Sequence, residues 1–252
     1  MIIVKNAVEL VKIRKACELS ARVLKLAGER ITAGMSTWEL DGMIREFIER
    51  HGAKPSFLGY RGFRGSACIS VNEELIHGVP SKKKILKNGD IVSIDVGAFL
   101  DGWHGDNAAT FAVGGFENAS DEAKRLLTVT EDCLYEGIRA ARPGKRVGDI
   151  SNAIQNCCES KGFYVVKKYI GHGIGRDLHE APDIPNFGKA GKGPRLTPGM
   201  TICIEPMVNS STSEVRLLSD NWTVAEANGN LSAHFEHTIA ITESEPLILT
   251  KA

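Results

Sequence analysis

The chain has no surplus of either charge: its 252 residues carry 31 Lys and Arg against 31 Asp and Glu, for a formal net charge of zero. That balance leaves no electrostatic footprint for DNA or for an anionic membrane surface, both of which call for a basic face. Nor does any apolar run approach the roughly 18 residues that cross a bilayer. The start, Met1-Ile2-Ile3-Val4-Lys5-Asn6, lacks the basic lead, long apolar stretch and cleavage site of a secretory signal. Cysteines stand at 17, 68, 133, 157, 158 and 203, with no CxxC spacing and with Cys157 and Cys158 adjacent. They read as reduced thiols of a cytoplasmic protein, not as a disulfide framework. No Pro-rich linker or low-complexity stretch divides the chain. A single domain over residues 1–252 is therefore expected, although the length also allows two small ones.

The chain does repeat itself. Leu86-Lys87-Asn88-Gly89-Asp90-Ile91-Val92-Ser93-Ile94-Asp95 returns 110 residues later as Leu196-Thr197-Pro198-Gly199-Met200-Thr201-Ile202-Cys203-Ile204-Glu205. The same offset pairs Gly34 with Gly144, Leu40 with Ile150, Ile44 with Ile154 and Gly52 with Gly162. A shorter echo, offset by 102, pairs His77-Gly78-Val79-Pro80 with His179-Glu180-Ala181-Pro182. Helical spacing runs over about 6–31. Ser36-Thr37-Trp38-Glu39 reads as a capping box, followed by the apolar face Leu40, Ile44, Phe47 and Ile48 of a second helix ending near Gly52. The second half repeats the plan, with a helix over about 120–142, a break at Pro143-Gly144, and Ile150, Ile154, Cys157 and Cys158 on the next helix. Strands are expected near 66–71, 91–99, 106–113, 201–208 and 235–242. The fold class is α+β: an antiparallel sheet covered on one side by helices, with duplicated halves (approximately 6–115 and 116–250) about a pseudo-twofold axis.

Asp101-Gly102 is a two-residue hairpin signal. With that turn, Leu100 pairs with Trp103 and Asp95 lies opposite Ala108, two positions from Asp106, so both carboxylates share one face. Glu205 ends the second apolar strand, and Glu236 lies in His234-Phe235-Glu236-His237-Thr238. Buried carboxylates cost several kcal/mol or take up protons. Taken singly, each acid is better explained by a neighbouring Lys or Arg, or by solvent. Four in repeated positions, in strands with few basic residues, point instead to bound cations. His172, held by the flexible backbone of Gly171-His172-Gly173, adds one nitrogen to an oxygen-rich donor set that suits a pair of first-row divalent ions more than a structural zinc.

These residues carry a resemblance. Asp95, Asp106, His172, Glu205 and Glu236, with Ile-His-Gly-Val-Pro, Asp-Gly-Trp-His-Gly-Asp, Gly-His-Gly-Ile-Gly, Ile-Glu-Pro-Met and Glu-His-Thr, make the chain similar to the type I methionine aminopeptidases over about residues 6–250. The resemblance implies the pita-bread fold and hydrolysis of an N-terminal initiator methionine preceding a small second residue. It implies two divalent ions (Co, Mn, Fe or Zn), with Asp95 on one, His172 and Glu205 on the other, and Asp106 and Glu236 bridging. A metal-bridged water, its pKa lowered towards about 7, would attack the scissile carbonyl. Glu205 would shuttle the proton, His179 would stabilise the intermediate and His77 would contact the peptide near its second residue. The methionine pocket maps onto Tyr60, Phe63, Cys68 and Trp222, with Phe57 and Leu178 alongside.

A sodium or potassium ion is implied near Asn72, Glu74 and Ser232, held mostly by backbone carbonyls. A cytoplasmic monomer acting on nascent chains, with ribosome association, also follows from the resemblance. The lysine-rich docking loop of some bacterial members is depleted here, at Ser210-Ser211-Thr212-Ser213-Glu214 with only Arg216 nearby. The long helical insertion of the type II branch has no room between His179 and Glu205. Leu178, Phe57 and Phe63 depart from the residues usual at those positions and bear on pocket shape. Two other readings stand beside this one. A proline-specific peptidase of the same fold normally carries a large domain ahead of the first helix. A metal-free binding module of this fold would have replaced its ligands.

Overall fold

The computed structural model describes residues 1–251. Helix α1 (Ala7–Arg30) starts where Asn6 Oδ1 accepts the N–H groups of Val8 and Glu9, while Glu9 accepts the Asn6 N–H. Helix α2 (Thr37–Arg50) opens with the expected box: Ser36 Oγ accepts from Glu39 N at 3.2 Å and Glu39 accepts from Ser36 N at 2.8 Å. Helix α3 (Asp121–Ala140) is capped by Ser120. Helix α4 (Val147–Ser160) keeps half of the α2 arrangement, 110 residues on, with Asp149 accepting the Arg146 N–H at 2.8 Å.

The helices cover one face of a nine-stranded, wholly antiparallel sheet. Its main path runs Lys54–Pro55, Ile91–Leu100, Trp103–Ala112, Glu236–Ala240, Thr201–Ile204, Gly171–Gly173 and Glu180–Ile184. Alternate residues of these strands turn towards the helices: Val92, Ile94 and Val96 pack with α1 and α2, and Ile202, Ile204 and Ile239 pack with α3 and α4. All six are fully buried, so the intervening residues are committed to the opposite face.

The repeat is a backbone repeat as well. Gly34 donates to Leu86 O at 2.8 Å and Gly144 to Leu196 O at 3.0 Å; Leu86 returns a bond to Met35 O at 2.9 Å and Leu196 to Lys145 O at 2.8 Å. Ser56 bonds Gly97 O and Val166 bonds Met207 O, each at 2.9 Å and each 110 residues from its twin. Three glycine pairs at that offset hold left-handed backbone: Gly34 and Gly144 (φ +91° and +80°), Gly52 and Gly162 (+74° and +80°), and Gly89 and Gly199 (+87° and +88°). A Cβ is strained in that conformation.

One expected strand is broken in the middle, and another is preceded by a strand that the sequence reading does not expect. The segment over 201–208 divides into Thr201–Ile204 in the large sheet and Met207–Asn209 in a three-stranded one, with Glu205-Pro206 between. The expected strand over 235–242 is found as Glu236–Ala240, and ahead of it, across Phe235, Ser232–His234 joins the three-stranded sheet. Pro206 has no N–H to give a ladder, and its carbonyl instead accepts from Phe235 N at 3.4 Å. Both acids therefore sit where the chain changes sheets.

Candidate metal centre

Register alone brings the acids together. Asp95 lies opposite Ala108 and Ala108 opposite Glu236; the pairing of His237 with Ile204 puts Glu205 across from Glu236. In the next row, two residues along, the pairing of Gly173 with Ile202 sets His172 beside Cys203; Cys203 faces Thr238, and Thr238 Oγ1 bonds the Asp106 carbonyl at 2.6 Å. All five expected ligands thus project from the face away from the helices. One donor atom from each of Asp106, His172, Cys203 and Glu236 lies within 4.8 Å of every other, and all four residues are buried. Glu205 Oε1 is 3.6 Å from His172 Nε2.

The glycines beside His172 are there for close packing and not, as the sequence suggests, for flexibility. Gly171 to Gly173 is a strand, and a Cβ on Gly171 would meet Cys203 O at 2.4 Å. One on Gly173 would meet Ala181 O at 2.3 Å.

Electrostatically the cluster is poor as a set of free acids. Burial, followed by the charges of Glu236, Asp95 and Glu205, pushes the Asp106 carboxyl well above its ordinary range. Burial and then Asp95 raise Glu205, burial and then Glu205 and Asp95 raise Glu236, and burial raises Asp95 to about 6. Burial lowers His172 to about 3, keeping its imidazole neutral and able to ligate. Asp95 Oδ1, Asp106 Oδ1 and Glu236 Oε1 are buried without a hydrogen-bond partner. Among the described residues the only basic side chains within salt-bridge range of these acids are His172 and His234, both beside Glu205 and both with pKa lowered by burial. Orphaned buried carboxylate oxygens with one neutral imidazole fit divalent cations, whose charge answers the desolvation that nothing else in the site answers.

A cavity of about 300 Å³ opens onto this face. Phe57, Tyr60, Phe63, Cys68, Leu178 and Trp222 line it, as do His77, His179 and the four acids with His172. Phe63 meets Trp222 edge-on at 5.2 Å. Tyr60 Oη is 3.0 Å from His179 Nδ1, and the His179 ring lies 4.1 Å from that of His172. His77, with φ +57°, stands across the cavity against Tyr169 at 5.8 Å. Burial lowers its pKa to about 4.

Sequence reasoning missed Arg61, Ile76, Lys168, Tyr169 and Ile170 on the cavity wall, and Cys203 and His234 beside the acids. The alternation that singled out Glu205 and Glu236 carries the signal for both, since each missed residue stands two positions earlier. Asn72 and Ser232 do meet, Asn72 O accepting Ser232 N at 3.0 Å, but the Glu74 carboxylate is turned to Lys84 Nζ at 2.5 and 2.6 Å.

Comparison with known proteins agrees with this geometry. The sequence model described as Metallopeptidase family M24 matches residues 11–243. Methionine aminopeptidase 1 of Bacillus subtilis is 53% identical over 251 residues, covering 100% of both chains. The crystal structure of methionine aminopeptidase from Thermotoga maritima superposes with a TM-score of 0.97 at 44% identity, again over 100% of both. Prolidase from Pyrococcus furiosus shares the fold at a TM-score of 0.80 and 26% identity, and the match covers 99% of this chain but 66% of that one.

Proposed function

The chain belongs to metallopeptidase family M24, to its methionine aminopeptidases, and from that premise we propose that it removes methionine from the N-terminus of peptides and nascent proteins whose second residue is small. The observation that carries the reading is the joint one: buried acids and a neutral histidine converging on one sheet face, beside an apolar cavity lined by Phe57, Phe63, Cys68, Leu178 and Trp222. Identity of 53% to a methionine aminopeptidase against 26% to a prolidase favours methionine over X-Pro substrates.

Asp95, Asp106, His172, Glu205 and Glu236 would hold the divalent ions in this reading. Co, Mn, Fe and Zn all suit the donors. When bound, such ions supply Lewis acidity and a hydrolytic nucleophile at neutral pH. The rest falls to the chain's own groups. Glu205 accepts a proton at its carboxylate and returns it to the leaving amine. Tyr60 donating to His179 Nδ1 leaves the proton on Nε2, available to the developing oxyanion. His77 faces the peptide beyond the scissile bond. The apolar wall selects methionine by burying its side chain, which is worth roughly 1.5–3 kcal/mol. The same reading carries a cytoplasmic monomer, in keeping with six free cysteines. Ribosome docking would have to use a surface other than Ser210 to Glu214, which offers one acid and no lysine.

The test is release of free methionine from Met-Ala-Ser, against cleavage of an X-Pro dipeptide, by protein supplied with Mn²⁺ or Co²⁺. Methionine release is expected. Cleavage of X-Pro without methionine release would replace this reading with the prolidase one.

A further inference from the structure

His234 is 1% exposed, and neither of its ring nitrogens has a hydrogen-bond partner. A buried polar group left unpaired costs about 1–3 kcal/mol, and Phe or Leu would fill the space without that cost. The imidazole stands two residues before Glu236, on the strand that pairs Met207 with His234 across the Glu205-Pro206 break. Its Nε2 lies 3.5 Å from Glu205 Oε2, while Glu205 Oε1 faces His172 Nε2 at 3.6 Å. One carboxylate is thus flanked by two imidazoles, one at each oxygen. Among the described residues no other Lys, Arg or His nitrogen lies within salt-bridge range of it, so the Nε2–H of His234 is the donor that faces Oε2.

We propose that His234 is a positioning residue: its Nε2–H holds Glu205 Oε2 and so leaves Oε1 aimed towards His172 and the metal site. At 3.5 Å the pair stands at the outer limit of hydrogen-bond distance. Outer-shell partners of this kind typically alter metal affinity or activity 10–100-fold. The proposal rests on the reading of Glu205 as a ligand and proton carrier.

Three full-length proteins test it: wild type, His234→Leu and His234→Gln. Each is stripped of metal, checked by circular dichroism, titrated with Mn²⁺ by calorimetry, and assayed on Met-Ala-Ser. For His234→Leu, Mn²⁺ affinity and kcat should each fall at least tenfold, with KM within about threefold of wild type. In His234→Gln the side-chain amide again offers a donor, and both quantities should recover to within about threefold. Leu retaining wild-type affinity and kcat overturns the proposal, as does Gln being impaired as deeply as Leu. Should Leu not fold, Gln and His234→Met carry the same contrast. If wild type fails to release methionine, the functional reading fails, but the Mn²⁺ titrations still decide the role of His234.

Discussion

Asp106 is 3% exposed and Glu236 2%, and the two face each other with no lysine or arginine in range. That arrangement fixes how the metal-free protein should respond to pH. Above about pH 7.5, a unit beyond the ordinary histidine value, histidines whose folded pKa is lowered, such as His77, His172 and His237, are almost wholly neutral in both folded and unfolded chains and contribute little slope. Asp106, Glu205 and Glu236, raised in the folded state, lose their protons at a higher pH there than in the unfolded chain. The native state then binds more protons, so stability falls as pH rises, by roughly 1.4 kcal/mol per pH unit for each carboxyl still protonated. Thermal melts of metal-free protein between pH 7.5 and 9 should show Tm falling; Asp106→Asn should flatten that slope, and saturating Mn²⁺ should abolish it. A Tm independent of pH in this window without metal would mean the acids are solvated or paired. His179 gives a separate prediction. It is exposed at the cavity rim and bonded to Tyr60, so His179→Ala should leave bound metal unchanged while kcat falls about 10²–10³-fold. Unaltered kcat would remove it from the chemistry.

The strand Gly171–Gly173 offers the sharpest test of how secondary structure delivers a ligand. Gly173→Ala puts a methyl 2.3 Å from the Ala181 carbonyl of the adjoining strand, so the strands must part and carry His172 with them. The expected result is a loss of several kcal/mol of stability to urea together with at least tenfold weaker Mn²⁺ binding. Gly34→Ala, with the same left-handed cost but open space around it, should lose only about 1–2 kcal/mol and keep its metal. How far such features can be read from sequence depends on whether they are local. The Asp101-Gly102 turn fixes the hairpin, so the pairing of Leu100 with Trp103 and of Asp95 with Ala108 follows by counting. Ser36-Glu39 and the repeated glycines are equally local. The breaks at Pro206 and Phe235 are not, because they depend on which sheet each half-strand finds. Cys203 and His234 share the local alternation of Glu205 and Glu236, but which of their neighbours across the sheet they meet depends on the order of strands from distant parts of the chain. Gly-His-Gly misled because close approach and flexibility call for the same residue.

Between the duplicated halves, the strands Trp103–Ala112 and Glu236–Ala240 are joined by the pairs Ala108–Glu236 and Asn107–His237. The acids are shared across that seam, Asp95 and Asp106 on one side and Glu205 and Glu236 on the other. The N-terminal segment crosses it too: Lys5 donates to Gly199 O with its backbone through a 2.8 Å contact and to Glu180 with a side chain 1% exposed. Neither half has an answer for its own buried groups. Separated, each would expose a long unpaired strand edge and a face of orphaned carboxyls, and its helices would cover only part of a core. Polypeptides 1–115 and 116–252, produced singly, should therefore show no cooperative thermal transition and poor amide dispersion by NMR, whereas the whole chain should unfold in one step by both tryptophan fluorescence and circular dichroism. Trp38 lies in the first half and Trp222 in the second, so single-tryptophan variants can report on each. Coincident curves are expected from the shared sheet. Two separated transitions, or a sharp melt from either fragment, would show that the halves are stable domains meeting at an interface, and that the acids come together by docking after each has folded.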